Sequence, residues 1–355
     1  MKKLLFIALA IVFLAGCQGG SGDKATSTEG ESVKSLTAAG ATFPMPFYNL
    51  VFKNYTKEKG ILLTYGGIGS GGGIRSLTDK VVDFGATDAF LSDEKLANMP
   101  AEVVHIPTCI GAVVIAYNLP GVDKLKLSNQ NLEDIFTGMI TNWNDPKLKA
   151  GNPDIDFPDQ DITFVHRSDG SGTTYIYSDY MSKISSKWET EVGRGKSLKW
   201  PVGIGAKGNP GVAGTISQTV GSIGYIGSEF AFAQKIPYAL VENSNGHYIE
   251  PTIESISASA KGEIPADTRI MLTNSSDPDA YPISGFTWII LYKEQSYDGR
   301  SKQLAAETLN FLSWLIEGDA QAVAKQVHYA PLPQKAVEKA KSILKSVSYD
   351  GQPVL

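Results

Sequence analysis

Three short segments of the sequence place glycine or proline beside hydroxyl, carboxyl or guanidinium side chains, each just before a predicted helix. Their sequences are GATFP at 40–44, GGIGSGGG at 66–73 and RSDGSGTT at 167–174. The first N–H groups of a helix have no partner within the helix and carry partial positive charge, so they bind anions. The pattern shared by the three segments indicates an anion-binding site.

Arg167 is the strongest candidate anion-binding group of the third segment. Its planar guanidinium can donate two parallel hydrogen bonds to an oxyanion. Asp169 follows two residues later, close enough to pair with Arg167. Such a pair would orient the guanidinium and reduce its net charge.

Each segment also has an alternative interpretation. Pro44 suits the first helical position, so the residues before it would form an ordinary helix cap. The glycine run fits a structural turn, and residues 67–72 also satisfy the GxGxxG dinucleotide fingerprint, with Asp88 at roughly the expected interval of about 20 residues. The sequence DGSG at 169–172 is a common turn.

Other reactive motifs are missing from the sequence. The GKS at 195–197 is not a Walker loop, because position 190 is Thr190 instead of the required glycine. No Gly-x-Ser-x-Gly elbow of a serine hydrolase occurs, and the four histidines lack metal-ligand spacing. We therefore expect no metal and no cofactor.

Short apolar runs alternate with helical patterns along the chain. The predicted strands are 62–65, 82–85, 103–106, 112–117, 162–166, 223–226 and 288–292; the predicted helices are 44–59, 72–78, 131–137, 173–183, 211–219, 301–317 and 333–346. Such alternation predicts open α/β sheets, whose ligands bind beyond the carboxyl ends of the strands. The three glycine- or proline-marked segments each lie between a predicted strand and a predicted helix, or at the start of one.

The N-terminus predicts export and lipidation. Two lysines at 2–3 precede an apolar run at 4–14, which is too short to span a membrane but suits a signal peptide. The run ends in LAGC at 14–17, which resembles the lipobox of bacterial lipoproteins and makes Cys17 the lipidated residue; an ordinary signal peptide is the alternative. The apolar surroundings of Cys109, the only other cysteine, predict a buried, inert thiol.

Composition describes a globular, acidic protein. The 355 residues carry 32 Lys and Arg against 37 Asp and Glu, a formal charge of −5, and removal of residues 1–16 with their two lysines makes it −7. This balance argues against general nucleic-acid binding, which needs clustered basic residues. The length favours two domains over one core.

Taken together, the motifs resemble the bacterial high-affinity phosphate-binding proteins of Pst-type ABC transporters. The resemblance rests on nine segments spread over nearly the whole mature chain: LTAAGATFP at 36–44, GIGSGGG at 67–73, VDFGATDA at 82–89, IPT at 106–108, NLPG at 118–121, RSDGSGT at 167–173, GNPGVA at 208–213, GSIGY at 221–225 and YAPLP at 329–333.

The resemblance implies an α/β, two-lobed periplasmic-binding-protein fold of type II, with two crossover strands and the ligand in the cleft. The expected organisation is a signal peptide at 1–16, a lipidated N-terminus and flexible tether at 17–34, one lobe from 35–112 plus 281–355, and an inserted second lobe at 113–280. Phosphate would be enclosed as the lobes hinge together.

Carried over position by position, the family's phosphate contacts fall on eight residues: Thr42, Phe43, Ser70, Asp88, Arg167, Ser171, Gly172 and Thr173. Asp169 would brace the arginine. Asp88 would supply the specificity, because a carboxylate accepts a proton that phosphate retains and sulfate lacks at neutral pH. The sequence departs from many relatives at Gly71, where a second serine is common, and at His166, where a second basic residue is frequent.

The resemblance implies a binding protein and not an enzyme. We expect an exported periplasmic or cell-surface lipoprotein that captures inorganic phosphate as a monomer and delivers it to ABC permease subunits. The alternatives are the same fold binding another oxyanion such as sulfate or molybdate, a secreted phosphatase, and an adhesin or sensor subunit.

Overall fold

The computed structural model describes residues 33–355. The predicted signal peptide at 1–16, the predicted lipidation site Cys17 and nearly all of the predicted tether at 17–34 lie outside the described residues. Everything structural below concerns Val33 to Leu355.

The described residues form thirteen strands and thirteen helices in mixed order. The strands are β1 Ser35–Gly40, β2 Leu62–Gly67, β3 Phe84–Thr87, β4 Val103–Asn118, β5 Lys126–Leu127, β6 Thr163–Arg167, β7 Ile204–Ala206, β8 Ser222–Gly227, β9 Tyr238–Glu242, β10 Tyr248–Ile249, β11 Ser284–Tyr292, β12 Ser348–Tyr349 and β13 Gln352–Pro353. The helices are α1 Met45–Lys59, α2 Ser70–Thr78, α3 Asp93–Ala97, α4 Asn129–Phe136, α5 Pro146–Gly151, α6 Gly172–Ile184, α7 Ser186–Glu191, α8 Gly208–Gln218, α9 Ser228–Gln234, α10 Ile253–Ala258, α11 Lys302–Leu315, α12 Gly318–Gln326 and α13 Gln334–Lys345.

Two sheet regions, joined through β4, define two lobes. The strand order is β2-β1-β3-β11-β4-β8-β6-β7, and β9 joins β4, β5 and β10 to the side of this path. In the first lobe, β1 is parallel to β2 and β3, and β11 is antiparallel to β3 and β4. In the second lobe, β6 is parallel to β7 and β8, and β8 is antiparallel to β4. The fold is therefore α/β and two-lobed, as predicted.

Strand β4 passes from one lobe into the other. Its residues up to Ala112 pair with β11, and from Val113 onward they pair with β8. The backbone N–H of Val113 also donates to the carbonyl of Ile283, just before β11 begins. These contacts place one crossing in the middle of β4. The predicted lobe boundaries at 113 and 281 themselves stay a prediction.

The prediction of two separate strands at 103–106 and 112–117 is wrong, because β4 is one strand of 16 residues. Its pairing with β11 shifts register between Thr287 and Trp288, opposite Cys109 and Pro107. Proline cannot donate to a sheet ladder and is tolerated within strands at bulges. Pro107 is thus accommodated by an irregularity within a continuous strand.

The predicted helix starts are displaced by one to three residues. Pro44 is the cap of α1 and not its first helical residue, because the first helical bond runs from the Tyr48 N–H to the Pro44 carbonyl. Helix α2 begins at Ser70, two residues earlier than predicted, and α8 begins at Gly208 instead of 211. The two earlier starts bring polar residues into the first helical turns.

Much of the glycine run serves close packing. A Cβ at Gly73 would lie 2.6 Å from the Cα of Gly40 and 2.7 Å from the carbonyl oxygen of Ala86, so α2 can rest directly on β1 and β3 only with glycine there. Gly69 has a φ of +83°, a conformation that other residues rarely adopt. These glycines position α2, and with it Ser70.

Aromatic side chains hold α1 and α6 in place. In the first lobe the ring of Phe52 on α1 packs edge-on against Phe311 of α11, with centroids 5.3 Å apart. In the second lobe Tyr177 of α6 stacks on Tyr225 of β8 at 4.6 Å. All four side chains are buried. Burial of such large apolar surfaces fixes the helices relative to their sheets.

Candidate anion-binding site

The first predicted segment lies between the carboxyl end of β1 and the start of α1. The hydroxyl of Thr42 accepts hydrogen bonds from the backbone N–H of Asn209, at 3.0 Å, and from its side-chain Nδ2, at 3.1 Å. The ring of Phe43 packs edge-on against Tyr329, and the Tyr329 hydroxyl lies 2.5 Å from the Phe43 carbonyl oxygen. Both residues are buried.

The second segment presents Ser70 at the first position of α2. Its hydroxyl oxygen accepts from the backbone N–H of Gly172 at 3.0 Å and from that of Asp88 at 3.3 Å. Gly172 belongs to the second lobe, so Ser70 joins the two lobes directly. Two donors occupy both lone pairs of the oxygen, which leaves the hydroxyl hydrogen free to donate.

Asp88 follows β3 and is almost completely buried. The hydroxyl of Thr287 donates to Oδ1 at 2.8 Å, and the Ser70 hydroxyl lies 3.5 Å from Oδ2. Burial raises the pKa of Asp88 to about 7, against the opposing effects of Thr287, the positive charge of Arg167 and Ser70. The carboxyl group can therefore hold or release a proton near neutral pH.

Arg167 ends β6 and forms a two-pronged ion pair with Asp169. Its Nε and Nη2 donate to the two carboxylate oxygens at 2.7 and 2.6 Å, and its Nη1 lies 3.4 Å from the Thr173 hydroxyl. Burial alone would raise the pKa of Asp169, but the bonds and charge of Arg167 outweigh it and keep that pKa below its usual value. The pair is largely buried, with the guanidinium side chain only 1% exposed.

The N-terminus of α6 completes the fourth segment. Ser171 is the cap of this helix, and its hydroxyl accepts from the backbone N–H of Thr174 at 3.0 Å. Its own N–H donates to the carbonyl of Lys196. The first helical residues are Gly172 and Thr173, whose side-chain positions face Ser70, Asp88 and Arg167.

The two lobes meet at these segments, and the cleft between them is closed. Besides the bond from Gly172 to Ser70, the N–H of Gly71 donates to the carbonyl of Gly170 at 2.8 Å. A Cβ at Gly71 would lie 3.2 Å from the Gly170 Cα, and one at Gly172 would lie 2.5 Å from both the Asp88 Cβ and the Ser70 oxygen. Glycine at these positions permits the close approach of the lobes.

All the predicted contact residues are buried around one region, but they form two directly bonded groups. One comprises Ser70, Asp88 and Gly172; the other comprises Arg167, Asp169 and Thr173. Thr42 reaches the second group through Asn209. Among the described residues, Phe43 and Ser171 make no side-chain hydrogen bond to another predicted contact, since Phe43 is apolar and the Ser171 hydroxyl caps its helix.

Sequence reasoning missed three residues that hold the site together. Asn209 binds both Thr42 and Thr173, Thr287 binds Asp88, and the N–H of Gly208 donates to Asp169 at 2.9 Å. Gly208 and Asn209 open α8, in the segment GNPGVA, and Gly208 has a φ of +70°. A glycine before a polar residue at a helix start was the available signal. Thr287 lies inside the buried strand β11, and no sequence pattern marks it as a site residue.

The site contains little net charge. Arg167 is paired with Asp169, and the remaining groups are hydroxyls, backbone N–H groups and the Asp88 carboxyl, whose pKa is about 7. Within residues 33–355, no cluster of three or more His, Cys, Asp or Glu side chains could hold a metal ion. The arrangement suits a small oxyanion bound by neutral donors, with one group that can accept a proton from the ligand.

Comparisons with known proteins agree with this fold. Residues 25–319 match the model of the PBP superfamily domain, and residues 1–18 match that of the prokaryotic membrane lipoprotein lipid attachment site. The phosphate-binding protein PstS of Haemophilus influenzae is 39% identical over 87% of this chain and 92% of its own. That of Xylella fastidiosa is 37% identical over 90% of this chain and 87% of its own.

A solved structure shares the fold at lower identity. The phosphate-binding protein from Stenotrophomonas maltophilia is 16% identical, with a TM-score of 0.66 over 87% of this chain and 94% of its own. The chain therefore belongs to the PBP superfamily and, within it, to the PstS family. This finding confirms the resemblance drawn from the sequence motifs.

The lipid-attachment match confirms the prediction of an exported, membrane-anchored lipoprotein. Cys17 as the modified residue stays a prediction, because it lies outside the described residues. In the described part of the chain, no helix has the length and apolar character needed to cross a membrane.

Proposed function

We propose that the protein binds inorganic phosphate outside the cytoplasmic membrane and delivers it to the permease of an ABC transporter. The observation that carries this proposal is the meeting of donor groups from both lobes around one buried carboxyl group, Asp88. Relatives over most of the chain are named phosphate-binding proteins. The eight predicted contact residues are the proposed ligands.

The donors fit a tetrahedral oxyanion. Thr42, Ser70 and Thr173 contribute hydroxyls, and the helix starts contribute backbone N–H groups, among them those proposed at Phe43 and Gly172. Arg167 uses Nε and Nη2 on Asp169 and one hydrogen of Nη1 on Thr173, so one hydrogen of Nη1 and one of Nη2 remain for the ligand. A cleft that closes over these groups excludes water and strengthens each bond.

Asp88 provides the proposed discrimination between phosphate and sulfate. An ionised carboxylate beside a fully deprotonated oxyanion places two acceptors at close range, which is repulsive. Phosphate near neutral pH carries at least one proton and can donate it to Asp88. A site built around such a hydrogen bond rejects ligands that cannot make it by about 10⁴–10⁵.

Isothermal titration with phosphate and sulfate at pH 8 tests the proposal. We expect tight binding of phosphate and much weaker binding of sulfate; equal binding of both, or of neither, would contradict it. Arg167→Gln should weaken phosphate binding, because it removes a charged donor. The matched control is Arg75→Gln, an exposed arginine on α2, which should bind like the parent chain. Thermal melting establishes that both variants are folded.

We further propose that the chain is not an enzyme. In a phosphatase, Ser70 would be the nucleophile and Asp88 its base. The Ser70 oxygen, however, accepts hydrogen bonds from two backbone N–H groups and has no lone pair left for attack. Incubation of a chromogenic phosphoester with stoichiometric protein should release no product above the buffer rate. Turnover that Ser70→Ala abolishes would instead establish the phosphatase.

Transfer to a permease follows from the proposed binding and the lipid anchor. A tethered, monomeric receptor would meet the permease by diffusion in the plane of the membrane. Deletion of the protein should reduce uptake of radiolabelled phosphate by intact cells at low phosphate concentration. Unchanged uptake in a strain without another phosphate importer would favour a sensor or adhesin role.

A further inference from the structure

Asn209 lies at the centre of the site without being among its predicted ligands. It is the second residue of α8 and is completely buried. Its Nδ2 donates to the Thr42 hydroxyl at 3.1 Å and to the Thr173 hydroxyl at 3.0 Å, and its backbone N–H donates to the Thr42 hydroxyl at 3.0 Å. Asn209 therefore contacts one proposed phosphate-binding residue from each lobe.

The orientation of the Asn209 amide is fixed by a backbone donor. The N–H of Gly227 lies 3.0 Å from Oδ1. A backbone N–H can only donate, so the oxygen of the amide must face Gly227 and the NH₂ group must face the two threonines. Both hydrogens of Nδ2 and the carbonyl oxygen are then used, and the reverse orientation would place two donors against each other.

These bonds determine where the hydroxyl hydrogens point. The Thr42 oxygen accepts from two N–H groups of Asn209, and the Thr173 oxygen accepts from Asn209 Nδ2 and from Arg167 Nη1. A hydroxyl oxygen has two lone pairs and one hydrogen. With both lone pairs occupied, each hydroxyl can act toward a ligand only as a donor.

We propose that Asn209 is a positioning residue for oxyanion binding. By donating to the Thr42 and Thr173 hydroxyl oxygens it occupies their lone pairs, and it thereby directs the hydroxyl hydrogens to the ligand. This inference rests on the proposed function. It assigns to the GNPGVA segment a role beyond helix capping. It also explains why an amide, with two donors and one acceptor, stands at a position surrounded by two hydroxyls and one N–H group.

Replacement by alanine and by aspartate separates positioning from packing. Asn209→Ala frees the hydroxyls to rotate, and we expect phosphate affinity to fall roughly tenfold to a hundredfold. Asn209→Asp keeps the shape and the bond from Gly227, but its carboxylate accepts from both hydroxyls and turns their hydrogens away from the ligand. We therefore expect Asn209→Asp to bind phosphate more weakly than Asn209→Ala. A packing role predicts the reverse order.

The control for burial is Asn152→Ala. Asn152 is another buried asparagine whose amide bonds the backbone at Lys126 and Leu148, away from the site. We expect this variant to melt at a lower temperature but to bind phosphate like the parent chain. Melting curves for all variants establish that weak binding reflects a folded protein.

A double-substitution cycle completes the test. If Asn209 acts through the threonine hydroxyls, Asn209→Ala should reduce phosphate affinity by a much smaller factor in a chain that carries Thr42→Val and Thr173→Val than in the parent chain. Equal cost in both backgrounds, or Asn209→Asp binding at least as tightly as Asn209→Ala, would overturn the inference. If the parent chain itself binds no phosphate, the proposed function fails; if it binds and the Asn209 variants bind equally well, only this inference fails.

Discussion

Asp88 holds the exchangeable proton of the site. The carboxyl is buried beside the Thr287 hydroxyl, and its pKa is about 7. One proton between Asp88 and the ligand suffices for a hydrogen bond, and either partner can bring it. Phosphate can supply this proton itself, whereas sulfate must find it on the protein. The selectivity of the site against sulfate therefore depends on the pH as well as on the shape of the site.

Sulfate affinity should rise as the pH falls toward 7 and then level off. Only the protonated form of Asp88 can donate to sulfate, so above about pH 7 the affinity should fall roughly tenfold per pH unit. Titration calorimetry with sulfate from pH 5.5 to pH 8.5 measures this dependence. Asp88→Asn, whose amide can donate at any pH, is the control and should bind sulfate without it. Parallel curves for both proteins would contradict the role of Asp88.

The sequence indicates the groups whose chemistry is evident from neighbouring residues. Arg167, Asp169 and the glycines around them stand out because a guanidinium, a carboxylate and glycines stand together just before a predicted helix. Asn209 and Thr287 act through neighbours that are more than 30 residues away in the chain. Their partners depend on how the lobes pack, which no local pattern contains.

The N-termini of the helices provide the donor groups of the site, and glycines determine how closely the helices of the two lobes approach each other. The critical position is Gly172, at the first turn of α6, where a Cβ would lie 2.5 Å from Asp88 and Ser70. The two helices that carry Ser70 and Gly172 belong to different lobes. A larger residue at 172 would therefore obstruct closure without disturbing either lobe.

Gly172→Ala should weaken phosphate binding by about tenfold or more, which corresponds to at least ~1.4 kcal/mol, while the protein stays folded. The control is Gly214→Ala in α8, where an added Cβ meets nothing within 4 Å. That variant should keep its affinity and gain up to about 1 kcal/mol in the free energy of unfolding. Calorimetry and urea denaturation measure both quantities. Undiminished binding by Gly172→Ala would show that the lobes need not approach so closely.

Helix α9 carries another buried carboxyl, that of Glu229. Oε1 lies 2.6 Å from the Tyr329 hydroxyl, which also lies 2.5 Å from the Phe43 carbonyl oxygen. The tyrosine has one hydrogen, so if it donates to the carbonyl, Glu229 must carry a proton and donate in turn. Burial raises the pKa of Glu229 to about 8, against the hydrogen bonds of Tyr329 and Ser228, and the other titratable groups facing it are Cys109 and Asp88.

Glu229→Gln should flatten the loss of stability that the parent chain shows between about pH 4.5 and pH 8. The parent carboxyl is protonated when folded and ionised when unfolded from about pH 4.5 to about pH 8, so folding binds a proton there and the free energy of unfolding falls as the pH rises. The slope is at most about 1.4 kcal/mol per pH unit for one proton. Glutamine keeps a donor to Tyr329 without titrating. Urea denaturation at pH 6, 7 and 8 measures the difference; identical pH profiles would refute it.

The long elements of the fold could be predicted from periodicity, and the short ones could not. Strands of two or three residues, such as β5 and β7, contain too few side chains to show alternation. The continuity of β4 through Pro107 depends on its pairing with β11, whose register shift accommodates the proline. Sequence patterns report local preference, whereas these features depend on the neighbouring strand.

At the scale of the whole molecule, closure controls access to the site. Every proposed ligand residue is buried, so phosphate can enter or leave only when the lobes separate. The bonds that join the lobes there are few, among them those from Gly172 to Ser70 and from Gly71 to Gly170. Bound phosphate would add further bonds to both lobes and so favour the closed form.

The membrane anchor can be tested independently of the cleft. Cys17→Ser should abolish metabolic labelling with fatty acid and release the protein from the membrane fraction, because the thiol is the predicted acylation site. Cys109→Ser is the matched control, since Cys109 is buried in β4 and lies in the folded part of the chain. It should remain labelled. Continued labelling of Cys17→Ser would contradict the lipoprotein assignment at this residue.

The internal pairing of Arg167 with Asp169 has a consequence for the medium in which the protein works. With its arginine neutralised, the cleft does little to offset the net charge of the chain, which is −7 without residues 1–16. Dissolved salt screens that surface but hardly reaches the buried bonds. A higher salt concentration should therefore raise the association rate of phosphate and leave its dissociation rate unchanged. Phosphate affinity would then increase with ionic strength, whereas the electrostatic attraction of an anion to a positively charged site weakens.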